Sequence, residues 1–155
     1  MHILWQAGLL LRIQKYKFED DGSQRDKYSI VLQVNKHEAY VIHTLTTSQN
    51  KAGLPANYAG CQVHKFVPYY FFPALHVVSD NGFYFEKDTY VFFSSNVRKE
   101  PLEKLEGLAK QSVFGLVPLG CLASEELKRL LKCLLKSNQL PQAIKEELES
   151  VKSGL

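Results

Sequence analysis

The sequence predicts an α+β protein, with an antiparallel β part over residues 1–98 and two or three helices within residues 99–155. Three observations carry this. Up to about residue 98 the apolar residues come in short runs rich in Val, Ile, Tyr and Phe, the habit of strands in a small antiparallel sheet. Gly, Asn, Asp and Pro separate those runs, as turns require. Beyond residue 100 leucines recur at helical spacing instead. The 155 residues, 45% hydrophobic and 23% charged, read as a single folded domain over 1–155 rather than a disordered or low-complexity chain.

The strands are expected at about 8–13, 28–34, 38–46, 63–70, 75–78, 83–85 and 89–94. Asn35-Lys36-His37 is short enough to join two of them tightly, and Asp80-Asn81-Gly82 supplies residues that tolerate positive φ in a hairpin turn. Residues 14–27 and 47–62 read as long polar loops, the usual carriers of binding residues. In the helical part, Pro101 suits a first turn and Leu102, Leu105 and Leu108 form a short stripe that ends by Gly115 and Pro118. Ser124 reads as an N-cap ahead of Glu125 and Glu126. Leu127, Leu130, Leu131, Leu134 and Leu135 then repeat on one helical face, and Pro141 opens a last amphipathic segment.

Charge and motifs narrow the function classes. Nineteen Lys and Arg against sixteen Asp and Glu give +3, spread evenly, so neither end is a basic arm or an acidic tail. Cys61, Cys121 and Cys133 lack C-x-x-C spacing and, being odd in number, are expected as reduced thiols of a cytoplasmic protein. Arg12 follows the first apolar run instead of preceding it, unlike a signal peptide, and no apolar stretch is long enough to span a membrane. The phosphate-binding loop, the dinucleotide fingerprint, the H-E-x-x-H zinc motif and the G-x-S-x-G elbow are all missing. The five histidines show no paired ligand spacing, so neither a metal nor another cofactor is expected.

What remains is an order of elements. A short strand from Gly8 leads into a polar loop with Asp21-Gly22-Ser23, and Lys27-Tyr28-Ser29-Ile30-Val31-Leu32 opens a second strand. The third strand ends in Leu45-Thr46-Thr47-Ser48; Lys87-Asp88-Thr89-Tyr90-Val91 comes later, and Ser124-Glu125-Glu126-Leu127 opens a helix. This succession resembles the MazF/PemK-like toxin endoribonucleases, and its Leu-Thr-Thr-Ser segment is also similar to the ToxN-like branch. The resemblance implies an SH3-like small antiparallel β-barrel with C-terminal helices, cleavage of single-stranded RNA without a metal, a cognate antitoxin and a homodimer. The family opens its second strand with Arg-Pro, where this chain has Lys27-Tyr28, so a cation is kept but the bidentate guanidinium fork is lost.

Such cleavage requires removal of the 2′-hydroxyl proton, protonation of the leaving oxygen and stabilisation of the phosphoryl charge. The resemblance assigns the last task to Lys27 and hydrogen bonding to Thr46; Ser48, two residues on, adds a donor on the same side. Lys27 and Thr46 are expected at the same open end of one hairpin. His43 and His64 are the acid–base candidates, since histidine changes charge near neutrality, although His43 has the opposite strand parity to Thr46. Arg12, Lys15, Lys17 and Arg25, interleaved with aromatic residues, are the candidate RNA-binding set. The competing reading is a non-catalytic interaction protein that binds a protein or nucleic acid through its aromatic loops and leucine-rich helices.

Overall fold

The computed structural model describes residues 3–17, 24–48, 59–93, 96–111 and 115–155, without the side chains of 15–17, 24, 25 and 111. Its strands are β1 (Leu9–Lys17), β2 (Gln24–Asn35), β3 (Tyr40–Leu45), β4 (Gly60–His64), β5 (Val67–Phe72), β6 (Thr89–Phe92), β7 (Val97–Pro101) and β8 (Leu116–Cys121). The helices are α1 (Leu102–Gln111), α2 (Ser124–Leu135) and α3 (Gln142–Ser153). The strands form two antiparallel sheets, one in the order β7-β3-β2-β1-β8 and one in the order β4-β5-β6. Among the described residues neither sheet closes on itself, so the expected barrel closure is not seen. An isolated bridge, Thr47 to Tyr90, stitches the chain just after β3 to β6.

The middle of the five-stranded sheet is buried on both faces, which is why its central strands carry short apolar runs such as Leu9-Leu10-Leu11 and Ile30-Val31-Leu32. Leu10, Ile30, Leu32 and Ile42 point to one side, where they meet Tyr70, Phe72, Val91 and the α2 leucines 127, 130, 131 and 134. Leu11, Ile13, Val31 and Val41 point to the other, where Leu105 of α1 and Trp5 of the N-terminal segment cover them. Two tyrosines tie the helices down. Tyr70 donates to Glu126 Oε1 of α2 at 2.9 Å, and Tyr40 donates to Glu147 Oε1 of α3 at 2.6 Å while Lys99 sits 3.9 Å over its ring.

Several expectations are corrected. The strand expected at 63–70 is a hairpin: β4 and β5 turn at Lys65-Phe66, whose φ angles of 49° and 68° are those of a tight hairpin turn. Lys-Phe lacks ordinary turn chemistry, so the turn was not legible. Residues 75–78 and 83–85 form a one-bridge hairpin, Val77 to Tyr84, around the expected Asp80-Asn81-Gly82 turn, with Gly82 at φ 86°. β1 and β2 run to Lys17 and from Gln24, through the expected polar loop. β7 and β8 were not anticipated. Both are edge strands, where the half-exposed Val-Arg-Lys-Glu-Pro of β7 and Pro118 of β8 cost no interior ladder bond. Ser124 begins α2 but does not cap it; Ala123 is the N-cap, without a side-chain bond.

The cysteines also depart from expectation. Cys61 of β4 and Cys133 of α2 form a disulfide, with Cα atoms 5.4 Å apart and a separation of 72 positions in sequence. The packing of α2 against β4 and β5 brings them together, which no local spacing could reveal; Cys121 remains a free thiol. Thiol titration of the denatured, unreduced protein should therefore find one reactive thiol per chain, not three. Reduction should lower stability by about 2 to 4 kcal/mol, read as a lower urea midpoint. Three thiols before reduction, or an unmoved midpoint after it, would contradict this pairing.

Candidate functional site

The site begins where the two sheets part. In the β2–β3 ladder Ser29 stands opposite Leu45 and Ile30 opposite Thr44, so continuing outward sets Tyr28 opposite Thr46 and Lys27 opposite Thr47. Thr46 still holds β2: its N–H lies 3.0 Å from the Tyr28 carbonyl, and its Oγ1 donates to the same oxygen at 3.2 Å. One residue later the chain has changed sheets. Thr47 N–H bonds the Tyr90 carbonyl at 2.9 Å, and Tyr90 N–H bonds the Thr47 carbonyl at 2.8 Å. The β2–β3 ladder thus ends in a fork at Lys27.

The half-buried Lys27 turns its ammonium to the Thr46 carbonyl at 2.6 Å. Alternation along β2 puts Lys27, Ser29 and Val31 on one face and Tyr28 and Ile30 on the other. Lys27 pairs across with Ile13 and Val31 with His43, so Lys27, Ser29 and His43 all belong to the face covered by α1.

A connected polar file runs among the apolar side chains of that face. Ser29 Oγ and His43 Nδ1 are 2.6 Å apart, and Ser29 Oγ lies 3.2 Å from the Thr44 carbonyl. His43 Nε2 hydrogen-bonds Glu100 Oε2 at 2.5 Å, and Lys104 of α1 donates to Glu100 Oε1 at 2.8 Å. Ser29 has one hydroxyl proton and two acceptors within reach. Given to Thr44, it leaves the Ser29 oxygen to accept from His43 Nδ1. Given to His43, it leaves Nδ1 as acceptor and Nε2 as the sole donor. The hydrogen bond from His43 holds the Glu100 carboxyl down to about 2; burial opposes this and Lys104 adds to it.

The fold treats the predicted residues unequally. Lys27 and Thr46 are brought into contact, but through the Thr46 carbonyl; the Thr46 hydroxyl is buried and committed to Tyr28. Ser48 is exposed just beyond the fork and Thr47 is partly exposed within it. His43 is only 1% exposed and lies behind Lys27 rather than at the surface. His64 ends β4 at the hairpin tip, whereas the row through Gly60, Phe71, Tyr90 and Thr47 crosses the other end of that sheet, four residues or about 13 Å away. Arg12 sits on the Tyr28 face, directly across the ladder from it. Lys15, Lys17 and Arg25 have their backbones in β1 and β2, and their side chains lie outside the described residues, as do residues 18–23.

Sequence reasoning missed Ser29, Glu100 and Lys104. A signal existed: Ser29 and His43 are polar residues inside apolar strands, and such groups must find partners. Among the described residues no three His, Cys, Asp or Glu side chains converge as a metal-binding group, and no helix is long and apolar enough to cross a membrane. Comparison with known proteins finds no matching family model, curated protein or solved structure.

The Glu100 carboxyl sits below its ordinary 4.5 in the folded state, so the stability it contributes is present above pH 4.5 and is lost as pH falls from there toward 2. Glu100→Gln, by stripping His43 of its charged partner, is expected to cost about 3 kcal/mol at pH 7 and to flatten the loss of stability between pH 4.5 and 2.5. Urea unfolding of both proteins across that range checks it; parallel pH profiles would show that the pair contributes nothing.

Proposed function

We propose that the chain is a metal-independent endoribonuclease that cleaves single-stranded RNA at the fork between its two sheets, with Lys27 as the phosphate-stabilising cation. One observation carries the reading: the Lys27 ammonium is held 2.6 Å from the Thr46 carbonyl, at the point where β3 passes from β2 to β6. Thr47 and Ser48 are the next residues along the chain, so one cation and two hydroxyls gather at one corner. The two sheets, joined by the Thr47–Tyr90 bridge, make an SH3-like barrel left open at that corner.

The chemistry follows from the parts. The ribose 2′-oxygen attacks the adjacent phosphorus, its bond to the 5′-oxygen breaks, and the products are a 2′,3′-cyclic phosphate and a 5′-hydroxyl. The proton leaving the 2′-oxygen is balanced by the one gained by the 5′-oxygen. Lys27 meets the negative charge that grows on the phosphoryl oxygens, and a preformed donor is worth most there because it need not reorganise. Thr47 and Ser48 supply hydroxyl donors to the same oxygens. Thr46 positions Lys27 through its carbonyl and anchors the corner to β2 through its hydroxyl. Ser29, His43 and Glu100 lie behind Lys27 on its own face; too buried to touch RNA, they hold β2, β3 and β7 in register beneath it. A cognate antitoxin, on this reading, is a partner that covers the Lys27 corner, and a second copy of the chain completes the dimer.

The non-catalytic reading keeps one observation of its own. Phe66 is 97% exposed at the β4–β5 tip, flanked by exposed Val63 and Val67, an apolar knob that suits a protein partner better than a nuclease. The two readings separate on a single assay. In EDTA, wild type should cut a mixed-sequence RNA to fragments ending in cyclic phosphate, and Lys27→Ala should slow this by at least about 100-fold, the loss typical of one preorganised donor. Intact RNA with wild type, or undiminished cutting by Lys27→Ala, removes the nuclease reading and leaves the interaction module.

A further inference from the structure

The face of β2 opposite Lys27 carries a second cluster. Tyr28 is partly exposed, and its ring stands edge-on to Phe85 at 5.5 Å and tilted against Phe83 at 6.2 Å. Phe83 and Phe85 pack at 5.2 Å in a T-shape, so one inner side of the Tyr28 ring is fixed by two rings that belong to the core. The Tyr28 backbone is held as firmly, its carbonyl receiving both the N–H and the hydroxyl of Thr46. Directly across the β1–β2 ladder stands Arg12, which puts its Cβ about 5 Å from that of Tyr28 on the same face. The Arg12 Nε is buried and has no hydrogen-bond partner among the described residues.

Two features of this cluster are unfinished. A rigid aromatic ring presents part of its surface to solvent, and a desolvated guanidinium N–H beside it lacks an acceptor, which costs free energy unless something supplies one. A carboxylate or phosphate would satisfy Arg12 but make no use of the ring, and an apolar side chain would cover the ring but leave the N–H orphaned. A nucleobase does both: every base has a π face, and guanine and uracil carry carbonyl oxygens along the edge.

We propose that Tyr28 and Arg12 form a nucleobase subsite, in which an unpaired base stacks on the Tyr28 ring and presents a carbonyl edge to the Arg12 guanidinium. The proposal rests on the reading of Lys27 as the phosphate cation and deepens it. Lys27 and Tyr28 are consecutive on β2, so they leave the strand on opposite faces. Because β3 departs at Thr46, an RNA strand crossing the fork meets both: its phosphate lies on the Lys27 side and the neighbouring base swings to the Tyr28 side. Tyr28 thereby places a stacking ring one residue from the phosphate cation.

The test uses the full chain and fluorescein-labelled 2′-O-methyl oligonucleotides, which lack the attacking hydroxyl and report binding alone by anisotropy. Stacking of one base makes Tyr28→Leu bind oligouridine about tenfold more weakly, with Tyr28→Phe restoring affinity to within about twofold of wild type. Arg12→Met should weaken oligouridine by about tenfold and oligoadenosine, which has no carbonyl, by less than about threefold. Thermal melts report folding, and should Tyr28→Leu not fold, Arg12→Met and its base dependence decide alone. Unchanged binding by Tyr28→Leu, or equal loss on both oligonucleotides for Arg12→Met, overturns the subsite. RNA cleavage by wild type together with Tyr28-independent binding would remove the subsite and spare the nuclease; Tyr28-dependent binding without any cleavage would do the reverse.

Discussion

Burial of the five-stranded sheet on both faces is the constraint from which the rest follows. With α1 on one side and the smaller sheet with α2 and α3 on the other, β2 and β3 have no solvated face along most of their length. A polar side chain buried there is costly unless it bonds within the protein or sits at a strand end. Ser29 and His43 do the first, reaching Glu100 and through it Lys104 on α1. Lys27 and Tyr28 do the second. The same rule that makes the core apolar thus decides where polar chemistry can lie: in a closed file beneath α1, and at the fork.

The fork arises because one strand serves two sheets. β3 runs beside β2 as far as Thr46 and then pairs through Thr47 with Tyr90, so the core is continuous across the crossing while the ladder is not. At that discontinuity Lys27 and Tyr28 leave β2 on opposite faces, beside the point where the chain after β3 departs. Neither sheet alone would set a cation and an aromatic ring from consecutive residues beside the same break in the ladder. The disulfide between Cys61 and Cys133 and the Tyr70–Glu126 hydrogen bond fasten the smaller sheet to α2, and so hold β6, the far wall of the fork, in place.

How legible each element was depended on whether its signal was local. The β2–β3 hairpin and the leucine stripe of α2 followed from alternation and helical period, because both patterns are written within a dozen residues. The run Tyr69-Tyr70-Phe71-Phe72 was harder. Four consecutive rings cannot all point inward on a strand, which suggests a partner or a helix on one face; instead Tyr70 and Phe72 enter the large core, while Tyr69 and Phe71 pack with Tyr90 and Phe92 of the neighbouring strand. β7 and β8 were hidden because edge strands need no apolar alternation. The contact of Lys27 with Thr46 was foreseeable from the hairpin; its passage through the backbone carbonyl rather than the hydroxyl was not, since that depends on where β3 leaves β2.

By itself the amino-acid order determined the class of the molecule, the central hairpin, the amphipathic helices and the placing of a cation and several hydroxyls at one end of that hairpin, because each depends on side chains a few residues apart. Tertiary structure alone decided that His43 is a buried link between Ser29 and Glu100, that Cys61 meets Cys133, and that Arg12 stands beside Tyr28. Those pairings join residues 14 to 72 positions apart, or adjacent strands whose register a bulge can shift. Proximity of that kind is created by packing, and no pattern along the chain encodes it locally.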